Sequence, residues 1–181
     1  MNSIEELTKL DESFTEIGFK AKVDNTYIML LSAIMERNIK KVQHKISEQL
    51  FEKYNNIAEN LKSNHEIQMY DELNVKDTYI ESVEITDVSY IIKVRLVSRY
   101  MDYIIDENTK QYKRGINDHR IEKNNKLIFV KRRDAKKLGV VITCTHCGSS
   151  VDINNNGICP YCRQPFEIEN FDWILTSLEE M

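Results

Sequence analysis

Apolar positions recur every three or four residues through the first third of the chain and every second residue through the middle, which predicts helices followed by strands. Ser3-Ile4-Glu5-Glu6 has the S-x-x-E form of a capping box, in which the hydroxyl accepts from a free backbone N–H of the first turn. Ile4, Leu7, Phe14 and Ile17 then mark a first helix ending near Gly18. Asp24 or Asn25 caps a second, with Tyr27, Leu30, Leu31 and Ile34 on one face, and Asn38 breaks it. Ile39, Val42, Ile46, Leu50, Tyr54, Ile57 and Leu61 give a third, the clearest stripe of all. These positions read as core, while His44 and His65 fall off the stripe and read as exposed.

From about residue 67 the pattern alternates. Strands are expected over 67–75, 78–88, 90–105, 111–116 and 126–132. The strand over 90–105 carries the most information. Ile92, Val94, Leu96 and Tyr100 point one way, and Lys93, Arg95 and Arg99 point the other, toward solvent or a partner. The fold class is therefore α+β: three N-terminal helices packed on a curved antiparallel sheet of about five strands.

Composition agrees with a folded, soluble chain. Of 181 residues, 41% are hydrophobic and 30% charged, outside the disordered range. The longest apolar run, Tyr27 to Met35, is interrupted by Ser32 and is too short to cross a bilayer. The first residues lack a basic stretch followed by an apolar one, so the expected address is the cytoplasm. Charge is unevenly spread. Residues 1–92 carry ten basic and seventeen acidic side chains, residues 93–143 carry fourteen and six, and residues 144–181 carry one and six. A cationic middle between acidic ends serves an anionic partner or the protein's own carboxylates. The run from Lys131, Arg132 and Arg133 to Lys136 and Lys137 reads as a solvated linker or, alternatively, a phosphate-binding strip.

The chemistry that can be named lies in Cys144-Thr145-His146-Cys147 and Cys159-Pro160-Tyr161-Cys162, which hold all four cysteines with eleven residues between the pairs. Two C-x-x-C turns aim four thiolates at one ion, the signature of a structural Zn²⁺. Gly148 and Gly157 supply the positive φ that such turns use. Disulfides would need an oxidising compartment, and a thioredoxin-like pair would need a βαβ setting. His146 reads as a bystander, because four thiolates complete the shell and leave no open position for water. Phe166, Phe171, Trp173, Ile174 and Leu178 give the segment after the cysteines more apolar surface than a small ribbon can bury. That segment is expected to pack back on the ribbon or on the helix-and-sheet part, with a dimer contact as the alternative.

The order of elements, together with Leu127-x-Phe129-x-Lys131, the four cysteines and Trp173, resembles the bacterial Tim-forty-four-like proteins that carry a C-terminal zinc ribbon. In this chain Leu127 stands where the family usually has tryptophan, Thr145 where it often has proline, and Arg163 where it usually has glycine. Many relatives begin with a membrane segment, a feature not seen here. The resemblance implies a cystatin-like cone, shared with nuclear-transport-factor-two-like proteins, over residues 1–137 and a zinc ribbon with a hydrophobic tail over 138–181. It also implies a non-catalytic binding or adaptor protein associated with protein transport or a membrane-peripheral complex, with a protein partner. Two other readings stand beside it. Lys93, Arg95, Arg99, Lys131, Arg132 and Arg133 are the contact residues if the partner is nucleic acid or another acidic molecule, although the ribbon itself is acidic. Tyr100, Asp102, His119 and Tyr79 are the acid–base groups if the cone holds a small-molecule enzyme. No spacing singles out a pair among these four, so no catalytic residue is assigned.

Overall fold

A computed structural model describes residues 3–135, 141–152, 157–165 and 172–181. The helices α1 (Ile4–Leu10) and α2 (Glu16–Met35), a 3-10 segment (Ile39–Lys45) and α3 (Glu48–Ser63) precede the long strands β1 (Glu66–Ile85), β2 (Ser89–Asp106) and β3 (Tyr112–Arg132). Two short strands, β4 (Val141–Thr143) and β5 (Ser150–Asp152), pair with each other, and β6 (Ile174–Glu180) follows. The main sheet is antiparallel, in the order β1-β2-β3-β6. The α+β class holds, with helices against one face of the sheet.

The helix boundaries differ from those expected. Ser3 Oγ accepts from the Glu6 backbone N–H at 3.0 Å and opens α1. The helix stops at Leu10 because Asp11 turns the chain, its carboxylate accepting from the Ser13 backbone N–H at 3.1 Å. Thr15 caps α2, accepting from the Gly18 N–H at 3.1 Å. Ile17, assigned to the buried stripe, is 85% exposed in the first turn of α2. No cap forms at Asp24 or Asn25, and α2 runs through both. Asp24 instead accepts from the Thr78 hydroxyl of β1, while Phe19, Val23, Tyr27, Leu30 and Ile34 carry one buried stripe across the site of the expected cap. The third helix is also divided. Ile46 is extended between the 3-10 segment and α3, and Ser47 caps α3, accepting from Leu50 N–H at 3.3 Å. The division exists because Ile46 bridges Leu175 and the Ser47 N–H donates to the Leu175 carbonyl at 2.9 Å.

Neighbouring expected strands merge into longer ones. Bulges at Asp71/Asn74, Val75/Asp77 and Ile80/Ser82 let β1 pass its polar stretches without ending, and such bulges bend a sheet. The polar stretch 117–125 lacks alternation, yet β3 runs through it: residues 121–125 pair with β2, and the register shift between Tyr100 and Asp102 takes up 117–120. Around Tyr112–Arg120 the strand is largely exposed, so no buried face imposes a pattern there. Ile92, Val94, Leu96 and Tyr100 face the helices and are buried, as are Leu127 and Phe129 of β3. Inside this core the Tyr27 hydroxyl lies 2.8 Å from Ser98 Oγ, and Asn125 Nδ2 donates to it at 3.3 Å. No buried side-chain nitrogen or oxygen among the described residues lacks a partner.

The tail completes the sheet. Strand β6 pairs with β3 from Asn125↔Glu180 to Val130↔Ile174. Trp173, just before it, is 7% exposed. Its ring sits 4.9 Å from Phe19, 6.0 Å from Phe14 and 6.5 Å from Tyr90 between centroids. Leu175 is fully buried. Phe166 and Phe171, also expected to contribute, lie outside the described residues. Replacing Trp173 by alanine empties the centre of this aromatic group and is expected to cost about 3–5 kcal/mol in denaturant unfolding. A loss well below 1 kcal/mol would mean that the tail is not seated on the sheet.

Candidate metal centre

Each cysteine pair is held by the same local device. After Thr143 the chain turns so that the Cys144 N–H donates to the Ser149 carbonyl at 2.9 Å and the Gly148 N–H donates to the Cys144 carbonyl at 2.8 Å. The second turn repeats this, with Cys159 N–H to the Gln164 carbonyl and Arg163 N–H to the Cys159 carbonyl, both at 2.9 Å. In each turn the residue after the second cysteine is left-handed: Gly148 at φ +74° and Arg163 at φ +60°. Gly157 is also left-handed, at φ +63°.

The four sulfurs converge. The Sγ atoms lie within 4.8 Å of one another, with Cys144–Cys162 at 3.7 Å and Cys147–Cys159 at 3.8 Å. All four cysteines are free thiols. A tetrahedral thiolate site with metal–sulfur bonds of about 2.3 Å has edges of about 3.8 Å, so the spacing is compatible with one metal ion. Cys144 and Cys159 are buried, Cys162 is partly covered and Cys147 is exposed. The Ser149 hydroxyl and backbone N–H pull the Cys147 thiol down to about 6. The Gln164 N–H favours the Cys162 thiolate, but burial and the neighbouring sulfurs outweigh it and push that thiol up to about 12. Four adjacent thiols cannot all ionise unless a cation offsets their repulsion. His146 is exposed and stands outside the cluster.

The ribbon touches the helical layer through a residue expected to be exposed. His44, in the 3-10 segment, is only partly exposed. A Cβ added to Gly157 would come within 3.1 Å of the His44 side chain. His65 is exposed as expected. The sequence offers no signal for the His44 contact, because it depends on where the ribbon folds back.

The cationic residues are largely paired with the protein's own carboxylates. Arg99 and Lys76 share Glu122 at 2.9 and 3.3 Å, and Arg95 reaches Glu81 at 3.6 Å while stacking over the Tyr79 ring at 4.2 Å. Lys131 pairs with Asp11 at 2.6 Å, with both side chains nearly buried. Arg132 pairs with Asp134 at 2.8 Å, and Arg133 donates to the Thr86 carbonyl at 3.1 Å. Lys93 is exposed and has no ion-pair partner among the described residues. Lys136 and Lys137 lie outside the described residues. The four acid–base candidates do not converge. Tyr100 is buried beside Tyr70, with ring centroids 5.1 Å apart. Asp102 accepts from Gln68 at 2.8 Å, His119 is exposed beside Asp118 at 2.7 Å, and Tyr79 lies under Arg95.

With the helices, sheet and cysteine turns in place, comparison with known families is decisive. The model of the Tim44-like domain matches residues 1–137. The chain belongs to the Tim44-like domain family. Among solved structures, this Tim44-like chain is similar to the intermembrane space region of the chloroplast protein ARC6, at 7% identity and a TM-score of 0.47, covering 93% of this chain and 97% of that one. No curated protein matches in sequence. No helix among the described residues is long and apolar enough to cross a membrane.

Arg163 occupies a conformation that costs an L-residue about 1–2 kcal/mol, partly offset by the extra unfolded-state freedom of glycine. In chelator competition, Arg163→Gly is expected to hold metal about twofold more tightly and Gly148→Ala about fivefold more weakly. The opposite order would contradict the turn geometry.

Proposed function

We propose that this Tim44-like protein is a non-catalytic adaptor that works by protein–protein contact in a transport-related complex, and that Cys144, Cys147, Cys159 and Cys162 hold one structural Zn²⁺. Family membership over residues 1–137 carries the adaptor reading. Four free thiols within 4.8 Å of one another support the metal reading. Zinc fits an all-thiolate set in two C-x-x-C turns, and four protein ligands leave no position for catalytic water. In this reading residues 1–137 are the adaptor domain, and residues 138–181 are the ribbon with a tail that returns to it.

The proposed contact surface is the outer face of the sheet, with Lys93, Arg95 and Arg99, together with Arg132 and Arg133 at the end of β3; Lys131, expected among the contact residues, is instead turned in to Asp11. Cations interleaved with Glu81 and Glu122 suit a protein of mixed charge better than a polyanion, because counterion release needs unpaired cations. A second copy of the chain is the alternative protein partner, and the proposed address is the cytoplasm or the membrane periphery.

The test pairs two assays on the zinc-loaded full chain. Crosslinking in cells is expected to return protein-transport components, and Lys93→Glu with Arg95→Glu is expected to abolish that recovery. Nucleic-acid affinity is expected to be weak. Tight binding that falls steeply with salt would replace this reading with the nucleic-acid one.

A further inference from the structure

Strands β3 and β6 are neighbours in the sheet, yet residues 131–173 separate the partners Val130 and Ile174 in sequence. The four cysteines lie inside this connection. The ribbon is thus an insertion between two paired strands, and β6 reaches its place only after the ribbon has been traversed.

Both the ribbon and β6 rest on one short stretch of the helical layer. The 3-10 segment meets the ribbon where His44 abuts Gly157. The next two residues hold β6: Ile46 bridges Leu175, and Ser47 donates to the Leu175 carbonyl. Asp172, at the entry to β6, pairs with Lys22 of α2, and Lys45 adds a second positive charge nearby. Residues 39–47 are therefore a shared platform for both.

We infer that metal in the ribbon acts as a clasp on the fourth strand: without it, β6 and Trp173 leave the sheet, uncovering the edge of β3 and the slot between Phe14, Phe19 and Tyr90. This rests on the metal reading above. A ribbon of this size buries little apolar surface and owes its fold to coordination. Once the ribbon unfolds, the platform loses its Gly157 contact, and β6 hangs at the end of a long, unrestrained loop. Strand β6 has seven residues, whereas β1 and β2 have 20 and 18 and pair along nearly their whole length without reference to the ribbon. The part with the fewest independent contacts opens first.

The experiment is hydrogen exchange on the reduced full chain, first with zinc loaded and its stoichiometry measured, then after chelation. Chelation is expected to speed exchange of the 174–180 amides by at least about tenfold while β1 and β2 keep their protection. Emission from Trp173, the only tryptophan, should shift to the red. Returned zinc should reverse both effects in the native chain and neither in a Cys147→Ser, Cys162→Ser double variant. Unchanged protection at 174–180 while ribbon amides exchange freely would overturn the clasp, and so would equal loss across β1 and β2. A chain that binds no zinc at the loading step overturns the metal reading itself.

Discussion

The antiparallel seam between β3 and β6 is the contact on which the arrangement depends. It buries Leu175, places Trp173 among three aromatic rings, and brings a segment from beyond the cysteines into the sheet that the helices cover. The same strand imposes order on the helical layer. Ile46 and Ser47 leave helical geometry to meet Leu175, which ends the 3-10 segment and starts α3. A contact made late in the chain thus decides where an early helix is broken.

Charge follows from the same economy of parts. The excess of cations over residues 93–143 is met mainly within the protein, by Glu81 and Glu122 on the outer face and by Asp11 at the end of α1. The Lys131–Asp11 pair is nearly buried. Burial opposes ionisation of Asp11, but Lys131 and Ser13 outweigh it and hold the carboxyl below its ordinary value. That pair ties the end of β3 to α1, so the start of the basic run has a structural duty before it can have any other.

Local chemistry in the sequence predicted much of this and long-range contact much of the remainder. The Ser3 cap, the alternation along β2 and the two cysteine turns were legible, because each depends on residues within a few positions of one another. The cap expected at Asp24 or Asn25 does not form, because Thr78, more than fifty residues away, takes up the Asp24 side chain. Ile17 looked like core by spacing alone, but the Asp11 turn sets α2 on a new phase. The merging of strands depended on bulges that no periodicity signals. At the candidate metal centre the ligands were evident, whereas the His44 contact and the shared platform were not, since both exist only when the tail has returned.

The family match covers residues 1–137, whereas the sheet includes 174–180, and this contrast gives the most direct measurement. A fragment ending at Lys137 can be compared with the full chain in denaturant unfolding. Lacking β6 and Trp173, it should still unfold cooperatively but with several kcal/mol less stability, and expose apolar surface that self-associates. A fragment that stays monomeric and unfolds at the same midpoint as the full chain would contradict the account.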